Sequence, residues 1–303
     1  MKSERLRIWV GFSIVSFVWG STWLAIKIGL ENIPPFLGAG VRFAVATVIL
    51  LIIVRIRKIR VPFTRDAKKV YLVLGILSFG IAYGLAYWGE QFITSGLCSV
   101  LFAAFPLCVA VFSHFVLENE RLTVYKITGI ALGVVGLAII FWSDLSLSGS
   151  TGVLGIAALL LSAVLQGFTL VLIKKYGQPV SPFAMNLVGM GSGTIVLLVL
   201  GFAFESGQSI VWNSTAVGSV LYLAAIGSVL AFVTYYWLLK RIEAVYLALT
   251  TFINPIVAVI LGAIVLGESL APQTAVGAVF VLAGLLAANG KRLLELLRQA
   301  SGR

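Results

Sequence analysis

Apolar residues run along this chain in stretches of about twenty, each closed by a short polar or proline-containing turn, and about twenty is the length a helix needs to cross a hydrocarbon core. Ten such stretches can be read: Trp9 to Lys27, Phe36 to Val54, Val70 to Gly89, Thr94 to Val116, Val124 to Trp142, Gly152 to Ile173, Pro182 to Phe204, Thr215 to Leu238, Val245 to Leu266, and Gln273 to Gly290. No stretch is left over for a soluble domain. The fold class expected is an all-α polytopic membrane protein.

The pattern repeats. WGSTWLAIKIGLENIPPF, from Trp19 to Phe36, returns as QGFTLVLIKKYGQPVSPF, so that Gly20, Thr22, Ile26, Lys27, Pro35 and Phe36 fall on Gly167, Thr169, Ile173, Lys174, Pro182 and Phe183 at a constant spacing of 147. Tyr87, Trp88 and Pro106 match Tyr236, Trp237 and Pro255 at 149, and E-R-L-T from Glu120 with Gly129 and Gly136 matches E-S-L-A from Glu268 with Gly277 and Gly284 at 148. The chain therefore reads as two halves of common ancestry, residues 1–147 and 148–303. Five crossings per half is an odd number, so the halves enter the membrane in opposite directions. The expectation is ten transmembrane helices as two inverted five-helix repeats, an arrangement that places a substrate site near the midplane between the halves.

Composition agrees with this reading. Sixty per cent of residues are hydrophobic and 11% charged, against about a quarter charged in soluble domains, and the mean hydropathy is +1.07. The net charge of +11 does not point to nucleic acid, because the bases are segregated into turns. With the N-terminus in the cytoplasm, 20 of the 22 lysines and arginines lie on the inner side, which fixes an N-in, C-in orientation by the positive-inside rule. The basic segment RIRKIRVPFTRDAKK after the second span and its counterpart ESGQSIVWNSTA after the seventh, which has no lysine or arginine, then face opposite sides. The tail KRLLELLRQASGR pairs leucines with bases and suits either the anionic inner leaflet or a solvated helix end. The apolar run behind MKSERLR continues to Ile26 without a small-residue cleavage signal, so it reads as a retained helix. Cys98 and Cys108 are roughly 15 Å apart on one helix, beyond disulfide reach. A single histidine, His114, leaves no metal-site spacing.

The opening WGSTWLAIK, the PPF turn followed by Arg42, the proline-bearing fourth and ninth spans, and the E-R-L-T/G/G pattern in each half resemble the EamA-type members of the drug/metabolite transporter superfamily. The resemblance covers both halves. It implies a cavity lined by the first four helices of each half with the fifth and tenth packed outside, breaks at the prolines of the fourth and ninth helices, and transport of small metabolites, often export of amino acids or related compounds. Members that export cationic drugs by proton exchange tend to carry a carboxylate in the first helix, and Trp9 to Lys27 contains none.

Polar groups inside a span are costly, a charge near the helix centre by about 2.5 to 3.5 kcal/mol, so those that persist are candidates for the pathway. Arg42 sits about six residues into the second span, roughly 9 Å from its end. It could join Lys27 and Glu90 in a charge cluster, or snorkel to headgroups. Tyr83, Tyr87 and Glu90 share a face of the third span, and Phe232 and Tyr236 the equivalent face of the eighth; they form aromatic walls or an interfacial belt. Pro106 and Pro255 break the backbone ladder and free the carbonyls of Phe102 and Thr251, with Thr250, Thr251 and Asn254 beside the second. Trp19 and Gln166 are repeat mates near the centres of their spans, next to Gly20 and Gly167, which serve either ligand approach or helix packing, and Thr22 follows one turn on. Gly129, Gly133 and Gly136 read as helix packing, within the chain or at a dimer interface.

The function expected is a secondary transporter of small organic metabolites, with export favoured, at the bacterial inner membrane, acting as a monomer or homodimer. No cofactor is called for: there is no G-x-x-x-x-G-K loop, and proton coupling, where present, runs through Glu90. A channel-like pore is the alternative. An intramembrane enzyme ranks lower, since the sequence offers no Ser-His pair and no H-E-x-x-H.

Overall fold

The computed structural model describes residues 2–117, 123–147, 149–241, 247, 250–269 and 271–300, and these contain helices and turns but no strand. In chain order the helices are α1 (Lys2–Leu30), α2 (Pro35–Ile56), α3 (Arg65–Glu90), α4 (Ser95–Val116), α5 (Val124–Leu147), α6 (Gly149–Tyr176), α7 (Pro182–Phe204), α8 (Ser214–Leu239), α9 (Thr250–Leu266) and α10 (Pro272–Ala300). Seven of them, α1 to α4 and α6 to α8, are long and apolar enough to cross a membrane; the described parts of α5, α9 and α10 carry shorter apolar stretches, Ile127–Ile139, Ile253–Leu266 and Pro272–Gly284. The expected start of the ninth span at Val245 lies outside the described residues. Large apolar side chains such as Phe202 and Ile264 stand 68% and 76% exposed on the flanks of the bundle, which suits hydrocarbon and not water.

Local chemistry sets the helix boundaries. Pro35 and Pro182, repeat mates, each open a helix, where a missing amide hydrogen costs nothing. Thr64, Thr94, Ser181 and Asn213 cap α3, α4, α7 and α8 by accepting the amide of the third residue on. In α4 the backbone breaks at Ala103 and Ala104, and Pro106 occupies the first turn of the segment that resumes at Phe105. The break expected at Pro255 does not form: α9 runs without interruption from Thr250 to Leu266 with the proline inside it. One lost ladder bond is tolerated there, and the Asn254 amide nitrogen donates to the Thr250 carbonyl at 2.9 Å.

The sequence analysis did not anticipate that α3 and α8 each contain a long stretch wound with i→i+5 bonds, Val73–Ala82 and Leu223–Leu230. Such winding is rare and concentrates at functional positions. Ser228 sits in the second stretch and donates to the carbonyl of Leu223, five residues back, at 2.9 Å.

Hydrogen bonds assign the turns to two ends of the bundle. At one end, here the Ile33 end, Val211 N donates to Asn32 O at 2.9 Å, and Glu205 accepts from Phe36 N and Leu37 N. There too Lys27 Nζ donates to the carbonyls of Glu90 and Ile93 at 2.8 and 2.7 Å. At the opposite, Val180 end, Lys240 Nζ donates to Gln178 O and Val180 O, Lys69 lies over the Tyr176 ring and Arg57 over the Phe183 ring. The basic segment 57–64 is thus at the Val180 end, and residues 205–213 are at the Ile33 end. Burial, and secondarily the neighbouring Arg241, hold the Lys240 ammonium below the usual lysine range.

Glycines set the closest helix contacts. A Cβ on Gly20 would stand 2.6 Å from Val257 Cβ of α9, and one on Gly167 would stand 2.9 Å from Cys108 Cβ of α4. In α5 and α10, Gly136 abuts the Gly277 carbonyl and Gly284 abuts the Gly129 carbonyl. The glycine face of α5 is therefore occupied by α10 of the same chain, and no second copy is needed to explain it.

Candidate functional site

Between the helices lies a cavity of about 90 Å³, lined by Trp19, Thr22, Trp23 and Ile26 of α1, Arg42 of α2, Tyr83 and Ala86 of α3, Phe102 and Phe105 of α4, Ser162, Gln166, Thr169, Leu170 and Ile173 of α6, Phe232, Tyr235 and Tyr236 of α8, Leu247, and Thr250 and Asn254 of α9. Helices α5 and α10 contribute nothing to it. Of the residues singled out from the sequence, Trp19, Thr22, Arg42, Tyr83, Gln166, Phe232, Tyr236 and Asn254 are brought together here.

The others lie elsewhere. Gly20 is filled by Val257 and the Asn254 carbonyl, a packing contact between α1 and α9. Tyr87 is buried and not part of an interfacial belt; its hydroxyl accepts from Arg42 Nη1 at 3.2 Å behind the lining. Pro106 and Pro255 shape α4 and α9 without reaching the cavity, and the side chain of Thr251 lies outside the described residues. Glu90 is fully buried at the end of α3, and neither carboxylate oxygen has a hydrogen-bond partner.

Arg42 is 1% exposed, so its side chain stays in the bundle and does not snorkel. Nε donates to Ser228 Oγ at 2.9 Å and Nη2 to Gly227 O at 3.4 Å, and the guanidinium lies 5.3 Å from the Tyr83 ring centre and 5.2 Å from that of Phe43. The expected cluster of Arg42, Lys27 and Glu90 is not paired in this structure. Lys27 is spent on two backbone carbonyls, and no described carboxylate comes within 4 Å of either cation. The i→i+5 winding of α8 presents Ser228 and the Gly227 carbonyl together toward α2, which gives Arg42 neutral partners where an acid was expected.

The aromatic lining falls into two clusters. The Trp19 ring lies 4.7 Å from Tyr235 and 5.1 Å from Phe232, Trp23 lies 5.5 Å from Phe102, and Phe102 and Phe105 are stacked at 5.8 Å. Three hydroxyls in the wall are spent: Thr22 donates to Trp19 O, Ser162 to Ala82 O and Thr250 to Leu247 O. Gln166 Oε1 accepts from Ser78 Oγ of the i→i+5 stretch in α3 at 2.6 Å. Trp19 Nε1 and Thr169 Oγ1 are buried without a partner.

Sequence reasoning missed Thr169, although it is the repeat mate of Thr22, and it missed Trp23, Phe102, Phe105 and Tyr235. It also missed two carboxylates at the Ile33 end. Glu205 caps α2, accepting from Phe36 N at 2.8 Å and Leu37 N at 2.9 Å, and Glu268 caps α4, accepting from Ser95 N at 2.9 Å and Ser95 Oγ at 2.7 Å. The glutamate that opens E-S-L-A was the available signal for the second. Burial pushes the Glu205 carboxyl above the ordinary carboxylate range, and the two amide bonds pull it partway back.

Comparison with known proteins places this geometry. The uncharacterized transporter YoaV of Bacillus subtilis (strain 168) is 31% identical over 281 residues, covering 92% of this chain and 96% of its own. The uncharacterized inner membrane transporter YedA of Escherichia coli (strain K12) is 31% identical over 282 residues, 91% of this chain and 89% of its own. Protein PagO of Salmonella typhimurium (strain LT2) is 28% identical over 271 residues, 89% of each chain. A solved structure, described as "Crystal structure of protein", superposes with a TM-score of 0.68 at 17% identity, covering 93% of this chain and 96% of that one, a likeness of fold alone. The model of the EamA-like transporter family matches twice, over residues 7–142 and 153–290. An all-helical bundle with membrane-length apolar helices, two matches to one family model and relatives named as transporters lead to one conclusion: the chain belongs to the EamA-like transporter family and is a membrane transporter of that kind.

Proposed function

We propose that the chain is a secondary carrier that exports small organic metabolites, amino acids or related compounds, by alternating access across a bacterial inner membrane. Its two halves, residues 1–147 and 148–303, act as inverted five-helix repeats with both termini in the cytoplasm. The observation that carries the reading is the cavity: it draws on α1 to α4 of the first half and on α6, α8 and α9 of the second, and no described residue of α5, α7 or α10 lines it.

The glycine contacts support the inversion. Gly20 against Val257 becomes Gly167 against Cys108 when each residue is exchanged for its repeat mate, and Gly136 against Gly277 becomes Gly284 against Gly129. A pair of contacts that maps onto itself when the halves are swapped is what a two-fold axis produces. The separation of segment 57–64 from 205–213 at opposite ends supports it too. The Val180 end then faces the cytoplasm, where the bases belong.

Proton coupling in this scheme runs through Glu90, a buried carboxyl with two unpartnered oxygens. Glu90→Gln should abolish accumulation driven by a pH gradient and leave counterflow of labelled solute intact. Topology is tested by labelling Lys58→Cys and Gly207→Cys with a membrane-impermeant thiol reagent in sealed vesicles. The two sites should react from opposite faces; reaction from the same face discards the inverted repeat. Saturable counterflow in proteoliposomes identifies a carrier, and non-saturating flux without counterflow would identify a channel.

A further inference from the structure

The chemistry of the cavity goes further than a general metabolite site. Among the described residues its lining holds one formal charge, the cation of Arg42, and no aspartate, glutamate, lysine or histidine. A cation in a low-dielectric interior is costly unless something negative stands beside it. No described carboxylate pairs with it: the partners of Arg42 are a hydroxyl, a phenol and a backbone carbonyl, and the buried Glu90, which acts on it only through space, is not among the lining residues. A guanidinium has five N–H donors, and these three bonds use three, leaving one on each terminal nitrogen for an anionic oxygen.

Aromatic side chains make up much of the rest of the wall, and some of them adjoin that cation. Tyr83, beneath the guanidinium, has its ring centre 6.0 Å from Phe232, and Phe232 lies 5.1 Å from Trp19. An anionic head at Arg42 therefore reaches an aromatic surface within the length of one short carbon arm. The unpartnered Trp19 Nε1 and the unpartnered Thr169 Oγ1, on a residue 1% exposed, belong to this wall and are potential donors to an oxygen. A cationic head would find aromatic faces as well, but Arg42 already stands within 5.2 to 6.0 Å of the Phe43, Tyr83 and Tyr87 rings and would repel it. A zwitterion would bring an ammonium group into a lining without a carboxylate to receive it.

We propose that the cavity selects a planar aromatic monocarboxylate, its carboxylate held by Arg42 and its ring lodged among Trp19, Trp23 and Phe232, and that an α-ammonium group weakens binding. This rests on the carrier reading of the same cavity and narrows its cargo from amino acids to related carboxylates that lack the ammonium group. The step is binding alone, with no bond made or broken.

The test uses three probes with the same ring and side-chain length: 3-phenylpropionate, phenylalanine and phenethylamine. Because Trp19 and Trp23 line the site, tryptophan fluorescence of the purified full chain in detergent reports each titration, with chloride as a fourth arm. The expected order is 3-phenylpropionate at least 10-fold tighter than phenylalanine, and phenethylamine weakest. Arg42→Ala should abolish the preference and Arg42→Lys retain part of it, and Trp19→Phe should weaken 3-phenylpropionate several-fold. Circular dichroism and size-exclusion elution confirm that each variant is folded; where Arg42→Ala does not fold, Arg42→Gln and Trp19→Phe carry the test. Tightest binding by phenylalanine or phenethylamine, a preference unchanged without Arg42, or chloride displacing all probes alike would overturn the proposal. The carrier reading is judged separately: the expected order without saturable counterflow refutes the carrier and keeps the site, whereas counterflow of amines alone keeps the carrier and refutes this selectivity.

Discussion

Glu205 Oε2 accepts the amide hydrogen of Leu37 at 2.9 Å, so the residue that follows the end of α7 caps the first turn of α2, 168 positions away in the chain. Its second oxygen takes Phe36 N. The first-turn amides of a helix lack partners inside it and carry the positive end of the dipole, so a buried carboxylate there satisfies two donors at once. Replacing it by glutamine leaves one amide facing an N–H.

That geometry makes Glu205→Gln destabilising by about 1 to 2 kcal/mol, the usual range for a lost helix cap. The deficit should depend on pH with a definite sign. The folded-state pKa of Glu205 is raised above the ordinary 4.5, so between that value and the raised one the folded protein binds more protons than the unfolded chain. The group's contribution is full below 4.5 and declines as pH rises through the raised value. The deficit of the glutamine variant is therefore widest near pH 4.5 and narrows toward neutrality, read as the difference in melting temperature in detergent; a gap that widens with pH contradicts it.

Gly20 offers a prediction of a different kind. Even an alanine there places its Cβ 2.6 Å from Val257 Cβ and 3.1 Å from the Asn254 carbonyl, closer than atoms pack, so α1 and α9 must separate. Gly20→Ala should cost about 1 to 3 kcal/mol, as overpacked cores do. Val257→Gly in the same chain removes both the Cβ at 2.6 Å and the Cγ1 at 2.9 Å and should recover part of the loss. Equal melting temperatures for the single and double variants would show that the contact with Val257 does not set the cost.

Residues of this site differ in how far the sequence could reveal them. Arg42, Gln166 and Asn254 stand out because a polar side chain inside an apolar span needs a reason. Thr169 was within reach as the mate of Thr22. Trp23, Phe102, Phe105 and Tyr235 were not, because lipid and protein interior are equally apolar and an aromatic residue reads the same whichever it faces. Seven membrane-length apolar helices and the boundaries at Pro35, Thr94 and Pro182 were legible because apolar runs, turns and caps are local chemistry. The partners of Arg42 and Glu205 were not, since both are chosen by helices more than 160 residues away. The i→i+5 winding of α3 and α8 left no local mark, and it is what brings Ser228 to Arg42.

Ser228 holds the guanidinium from behind the lining and is a positioning residue. Ser228→Ala removes the acceptor of Arg42 Nε, a hydrogen bond to a charged group worth about 1.5 to 3 kcal/mol. Affinity for the carboxylate probe should fall about 10-fold, since 1.4 kcal/mol is one decade, and affinity for the amine probe should stay unchanged. A purely structural role would weaken all probes alike.

Lys27 ties the turn between α3 and α4 by donating to the carbonyls of Glu90 and Ile93, which would otherwise be unsatisfied at a buried helix end. These bonds exist only while α1, α3 and α4 are gathered at the Ile33 end, so they oppose opening there. Lys27→Met keeps the apolar stem and removes the donors. With Cys98 and Cys108 replaced by alanine, a cysteine introduced by Ala86→Cys in the cavity wall reports access from that end. An impermeant thiol reagent applied on the Ile33 side should react several-fold faster in the Lys27→Met background, and Lys27→Arg should restore slow labelling. If the rate is the same in all three, the ammonium serves to hold the turn and has no part in closing the cavity.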